Sequence, residues 1–146
     1  MAYCTQTDVE HAAGGATKLL QLADFDADGV VDTAVLTAAI DEAEEWINSY
    51  CAKRYAVPFD TPPDIIVREC AREAVYRIKD SRLAATQRDH DTHDKREDWL
   101  EGISYGRISL GVDPPPTKAS TVAPTVESDR TSVTGALNRE DLEGFW

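Results

Sequence analysis

The stretch DFDADGVVD, residues 24 to 32, places an acid at every second position and then a glycine. A calcium loop of the EF-hand kind needs oxygen donors at positions 1, 3 and 5, a glycine at 6 for a sharp turn, a backbone carbonyl at 7 and commonly a bidentate acid at 12. Asp24, Asp26, Asp28, Gly29 and Val30 fill the first five roles, and Asp32 stands at position 9. Position 12 is Val35, whose side chain offers no oxygen. An ion held without bidentate coordination keeps more of its water, so the expected affinity is weak, on the order of 10⁻⁴ M. The expected metal set is Asp24, Asp26, Asp28, Val30 and Asp32, holding Ca2+ as a structural staple rather than as a sensor. Residues 24 to 45 carry eight acids and no base, and a cation would relieve their repulsion. The plainer alternative is an Asp/Gly turn that caps the next helix and binds nothing.

Other candidate chemistry is thinner. His90 and His93, beside Asp89 and Asp94, form an i,i+3 pair that could ligate zinc, but no third strong ligand stands at metal-site spacing. A solvated helix face or a subunit contact is the favoured reading of that pair. Cys4, Cys51 and Cys70 are widely spaced and odd in number, which fits free thiols in a reducing cytoplasm. The chain has no P-loop, GxGxxG or HExxH motif, and no nucleophile has a base at a recognisable spacing. No enzyme is expected.

The elements that must position the acidic loop are helical. Thr5 is an N-cap with Asp8 three residues on, Cys4 and Val9 can form a hydrophobic staple, and Gly14 and Gly15 interrupt that first helix. A second fragment surrounds Lys18 to Leu22. After the loop, Asp32 or Thr33 can cap a long helix in which Leu36, Ala39, Ile40, Ala43, Ile47 and Tyr50 recur at helical spacing. Pro58, Pro62 and Pro63 end it, and a further helix is expected from near Thr61 to about Lys79, striped by Ile66, Val67, Cys70, Ala71, Ala74, Val75 and Ile78. Asp64 with Arg68 and Glu73 with Arg77 are expected as ion pairs on its wet side. From Ala85 to Tyr105 nearly everything is polar except Trp99, Leu100 and Ile103, which suggests a helix projecting into solvent or lying at a subunit contact. Arg107 to Leu110 could make a short strand.

The expected fold is mainly α: a small helical bundle with two long antiparallel helices, an Asp-rich loop and an extended C-terminal arm. Residues 1 to 111 form the helical domain. Residues 112 to 135, rich in Pro, Ser and Thr, have no apolar period and read as an extended linker. Residues 136 to 146 regain structure-forming signals, with Asn138 as N-cap and Leu137 placed to staple onto Leu142. Leu137, Leu142, Phe145 and Trp146 are the expected partner-binding anchors of a peptide that folds on its target; a tail folded back onto its own domain is the alternative. With 27 acids against 15 bases, a formal net charge of -12 disfavours nonspecific binding to nucleic acid or to an anionic membrane. No basic and apolar leader opens the chain and no apolar run approaches the roughly 20 residues that would span a bilayer, so a soluble, unsecreted protein is expected.

Several separate stretches, MAYCTQTDVE, LADFDADGVVD, AIDEAEEWINSYCAKRYAVPF, PPDIIVRECAREAVYRI and GRISLG, together resemble a small protein family of Mu-like prophages and other tailed phages. The likeness covers roughly residues 1 to 111 and is most specific in TQTDVE and the RYAVPF turn. The family looks like the helical head-tail connectors, or adaptors. That resemblance implies a homo-oligomeric, twelve-membered ring in the neck of the virion, assembled in the host cytoplasm. It would bind the portal protein on one side and a tail or stopper protein on the other, while DNA passes through the channel without specific binding and no membrane is involved. A neck stopper or tail-completion protein is a neighbouring alternative, and a small calcium-dependent binding module is one of a different class.

Overall fold

Local sequence signals at the N-terminus become local structure in the computed structural model, which describes residues 2 to 113. The first helix, α1, spans Gln6–Ala13. The Thr5 hydroxyl accepts from the Asp8 N–H, and the Asp8 carboxylate accepts from the Thr5 N–H at 2.7 Å, so two end groups satisfy each other. Cys4 and Val9 on either side are buried, as a staple requires. Gly14 closes the helix at φ 94°, a left-handed conformation that a residue with a Cβ adopts at a cost of about 1 kcal/mol or more. Helix α2 follows at Ala16–Ala23, then the acidic loop, then three long helices: α3 at Thr33–Cys51, α4 at Asp64–Ser81 and α5 at Gln87–Ser104.

The core forms where α3 lies against α4. Leu36, Ala39, Ile40, Ala43 and Ile47 are buried on α3, and Ile66, Cys70, Ala71, Ala74, Val75 and Ile78 on α4, which are the two stripes that spacing marked out except that Tyr50 and Val67 are only partly buried. Near the start of α3, Val35 and Ala38 lie beside Ile78 and Ser81 at the end of α4, and Glu42 pairs with Arg77 at 3.2 Å. At the opposite end the N-terminal segment bridges them: Tyr3 donates to Asn48, and Cys4 Sγ lies 3.5 Å from Cys70 Sγ. The two helices are therefore antiparallel. Helix α4 begins at Asp64 rather than near Thr61, because a proline pushes the residue before it out of helical geometry and Pro62 precedes Pro63.

Three expectations are corrected. Glu73 does lie 3.2 Å from Arg77, but it is 0% exposed instead of facing water. Its second oxygen lies 2.9 Å from His93 Nδ1 and accepts from Arg96 at 3.1 Å, so α5 is bound to α4 through a buried carboxylate. For the same reason α5 does not project into solvent. Its His93 ring is stacked between Trp46 of α3, at 5.0 Å, and Tyr76 of α4, at 4.4 Å, and the Tyr50 hydroxyl donates to Glu97 at 2.6 Å. That bond to a carboxylate, with burial behind it, pushes the Tyr50 phenol up to about 12. Finally, residues 107 to 110 form no strand. The backbone instead turns back, with the Ile108 N–H donating to the Gly102 carbonyl at 3.1 Å and the Leu110 N–H to the Tyr55 hydroxyl at 3.2 Å, and no partner strand lies alongside among the described residues. Gly102 allows this close approach, since a Cβ there would sit 2.7 Å from Ile108 Cδ1.

Truncating Glu73 would strand Arg96, Arg77 and His93 around a carboxylate-shaped void. We expect Glu73→Ala to lower unfolding free energy by about 3–5 kcal/mol in urea titrations, the range for breaking a buried ion pair from one side. A variant as stable as the parent would show that the three long helices are held together by something else.

Candidate functional site

The acidic loop is a short bridge with pinned ends. The Asp32 N–H donates to the Ala23 carbonyl at 2.9 Å, so the end of α2 and the start of α3 are hydrogen-bonded across it. Inside, the carboxylates turn toward the loop's own amides. Asp24 accepts from Asp28 N at 3.2 Å and Gly29 N at 3.0 Å, Asp26 from Asp28 N at 3.3 Å, and Asp28 from Val30 N at 2.8 Å. This chain of side-chain-to-backbone bonds is how Asp residues stabilise tight turns. Gly29 takes φ 84° at the position where a calcium loop turns sharply, and Ala27 takes φ 60°, which is uncommon for a residue with a side chain.

One carboxylate oxygen from each of Asp24, Asp26 and Asp28 lies within 4.8 Å of the others, so the first, third and fifth positions of the motif converge as their spacing suggested. The other two expected ligands are placed differently. The Asp32 carboxylate accepts from the Phe25 N–H at 2.8 Å and is not one of the convergent three. It precedes α3 in the N-cap position without making a side-chain cap bond. Val30 is 63% exposed at the loop's rim. Electrostatics separate the convergent acids. Desolvation pushes Asp24 up, but the amides of Gly29, Asp28 and Ala27 outweigh it and hold its carboxyl below the ordinary range. The Asp28 amide pulls Asp26 down, yet desolvation and the charges of Asp28 and Asp32 win and hold it above that range. Asp24 and Asp26 are thus pushed in opposite directions within one turn.

Sequence spacing did not point to Arg82, which lies just beyond α4 and fastens the loop from outside. Its guanidinium donates to the carbonyls of Gln21, at 2.9 Å, and Asp24, and its carbon lies 4.2 Å from the Phe25 ring centroid. It binds one carbonyl at the end of α2 and one at the loop's first residue, and leaves the three convergent carboxylates facing one another. The cationic position after the last turn of α4 was the available signal, although nothing in periodicity says which carbonyls it would reach.

The remaining candidates are dispersed. His90 Nδ1 lies 2.9 Å from the Tyr76 hydroxyl and His93 Nδ1 is taken by Glu73, so this pair is built into the α4–α5 contact. Cys4, Cys51 and Cys70 are free and buried. Burial raises the Cys51 thiol to about 11, and the hydrogen bond with Cys4, together with burial, raises Cys70, which leaves both as poor nucleophiles. Leu137, Leu142, Phe145 and Trp146, together with the linker from residue 114 onward, lie outside the described residues.

Removing the external clamp should loosen the loop alone. In Arg82→Ala we expect amides 24 to 32 to exchange with deuterium about tenfold faster, with the α3 and α4 amides unchanged, as for a local opening. Equal rates in both proteins would mean that the loop's internal bonds suffice.

The family described as Bacteriophage Mu, Gp36 matches residues 3–128 of the chain. The Mu-like prophage FluMu protein gp36 of Haemophilus influenzae is 32% identical over 82 residues, which cover 56% of this chain and 57% of that protein. Gene product J of Escherichia phage Mu is 31% identical over 91 residues, covering 60% of each. The matched segments thus span about three-fifths of those relatives. No described helix is long and apolar enough to cross a membrane. With the family match extending from the first cap through the helical body and into the Pro-rich segment, this chain belongs to the bacteriophage Mu Gp36 family.

Proposed function

We propose that this protein is a non-catalytic structural subunit of a tailed phage, a head-tail connector that forms a ring in the neck of the virion, binds the portal and lets DNA pass to the tail. Family membership carries the reading, since it puts the chain among proteins of phage Mu. The geometry adds a body suited to repeated contacts. Helix α5 is locked to α3 and α4 on its inner side by His93, Arg96 and Glu97. Outward it presents Arg88, Asp91, Asp94, Lys95 and Asp98, exposed charges of both signs on a fixed helix. A rigid surface of that kind suits complementary contacts between identical copies better than a mobile one. A twelve-membered ring would let weak contacts to the portal, one per subunit, add up to a firm joint. The strongly acidic surface suits a channel through which duplex DNA must slide without sticking.

In this reading Leu137, Leu142, Phe145 and Trp146 anchor each arm on the portal. Deleting residues 136 to 146 is expected to abolish portal binding in a pull-down while leaving the helical circular dichroism spectrum intact. Undiminished binding would remove the arm from the joint, and absence of the protein from purified virions would sink the connector role itself.

The acidic loop is proposed to hold calcium as a staple through Asp24, Asp26 and Asp28, with water in the positions that Val30 and Asp32 were expected to fill. What supports it is the 4.8 Å convergence, which gathers three carboxylate charges that a divalent ion would offset. Calorimetric titration should give a dissociation constant on the order of 10⁻⁴ M, lost in Asp24→Asn. No uptake at millimolar calcium would reduce the loop to a self-bonded turn.

A further inference from the structure

Five of the 15 bases of this acidic protein gather in one place. Two adjoining depressions of about 220 and 300 Å³ run between α4 and α5 and share Arg72, Thr92 and Arg96. Lys79 and Arg88 line the first and Lys95 the second, so five bases meet two acids, Asp89 and Glu69, in a chain whose formal net charge is -12. Both acids are already committed, Asp89 to Lys79 at 3.0 Å and Glu69 to Arg72 at 2.7 Å, and Arg96 is held by Glu73. Arg88 and Lys95 are exposed and have no carboxylate partner among the described residues. Ile65 and Trp99, both half-buried, give the second depression an apolar floor. The groove is therefore a basic rim around an apolar base.

Its complement lies on the same chain. Residues 24 to 45 hold eight acids and no base, and Asp41 and Glu45 stand exposed on the outer face of α3 with no ion pair among the described residues. The two surfaces cannot meet within one molecule. Arg72, in the groove, and Arg77, which reaches Glu42 of α3, are five residues apart on α4, about 140° around the helix. Helix α3 thus packs on a different side of α4 from the groove, and its outer face points further away still.

We propose that the α4–α5 groove of one copy takes the acidic outer face of α3, centred on Asp41 and Glu45, from a second copy. A surface that fits a different surface of an identical molecule makes a head-to-tail contact, which propagates until it closes into a ring or runs on as a filament. This names the subunit contact of the ring proposed above and rests on that reading. A groove lined by bases is also the shape of a phosphate-backbone site, but here the apolar floor and the base-free face on the same chain favour the protein partner.

A charge swap on the full-length protein tests it. Lys95→Glu with Arg88→Glu makes the groove acidic, and Asp41→Lys with Glu45→Lys makes the α3 face basic; none of the four has an ion pair to lose within the described chain. The parent should assemble in sedimentation velocity at low salt and dissociate as salt is raised, because exposed pairs are screened. Each double variant alone should assemble at least about tenfold more weakly, and an equimolar mixture of the two should regain assembly, since each then meets an opposite charge. Recovery on mixing is not produced by misfolded variants. Assembly that ignores the groove charges, or a mixture that stays monomeric, overturns the proposal and leaves the ring with another interface. A parent that never assembles overturns both. Intact assembly with lost retention of short duplex DNA would assign the groove to nucleic acid instead.

Discussion

Glu73 sets the geometry on which the rest of the body depends. A carboxylate moved out of water carries a penalty of several kcal/mol unless its oxygens are bonded and its charge is matched. Here one oxygen meets His93 and Arg96 from α5, and the other faces Arg77 on its own helix. Arg77 in turn reaches Glu42 of α3. This fully buried carboxylate therefore connects all three long helices, and the His93 ring held by it is stacked between Trp46 and Tyr76. Each partner is also a constraint: moving α5 by one residue along its axis would take His93 and Arg96 out of reach together. A wholly apolar contact between α4 and α5 would fix their separation less specifically, since α5 offers few apolar side chains toward it.

The apolar stripes of α3 and α4 were legible because 3.6-residue spacing reports directly on which side is buried. The Thr5–Asp8 cap was legible too, because a pair three residues apart needs no tertiary information to form, whereas Asp32 makes no side-chain cap bond and the matching Thr86–Asp89 box on α5 was passed over. The position of α5 was not, because what holds it is polar: His93, Arg96 and Glu97 score as solvated in any hydropathy pattern, yet all three bond inward. Glu73 shows where a signal was present and overridden. It falls on the same helical face as Ile66 and Cys70, which are fully buried, so its position argued for burial while its charge argued for water. The i,i+4 rule correctly joined it to Arg77 but says nothing about which side of the helix carries the pair.

The acidic loop divides in the same way. Asp24, Asp26 and Asp28 converge because an alternating Asp pattern with a glycine already encodes the turn, and each carboxylate finds an amide within a few residues. Asp32 goes elsewhere, since the Phe25 amide reaches it first across the base of the loop. Arg82 comes from 58 residues away in sequence, and only the antiparallel packing of α3 on α4 delivers it. Phe25, 45% exposed, is covered on one side by that guanidinium, which gives an otherwise solvated aromatic a partner of suitable chemistry.

Separating charge between two sides of one small body has a consequence for how such copies would associate. An exposed ion pair contributes about 0–1 kcal/mol, so a contact made of a few of them is weak between two free molecules. Closing a ring changes the balance, because the last subunit makes two contacts while losing rigid-body freedom once, and docking on a template raises the local concentration further. The formal charge of -12 meanwhile keeps dilute copies apart by general repulsion. A subunit built this way would associate weakly and reversibly on its own, and firmly where other copies are already held in register. Strong hydrophobic faces would reach the same closed ring with more stability, at the risk of open aggregates formed before the template is present.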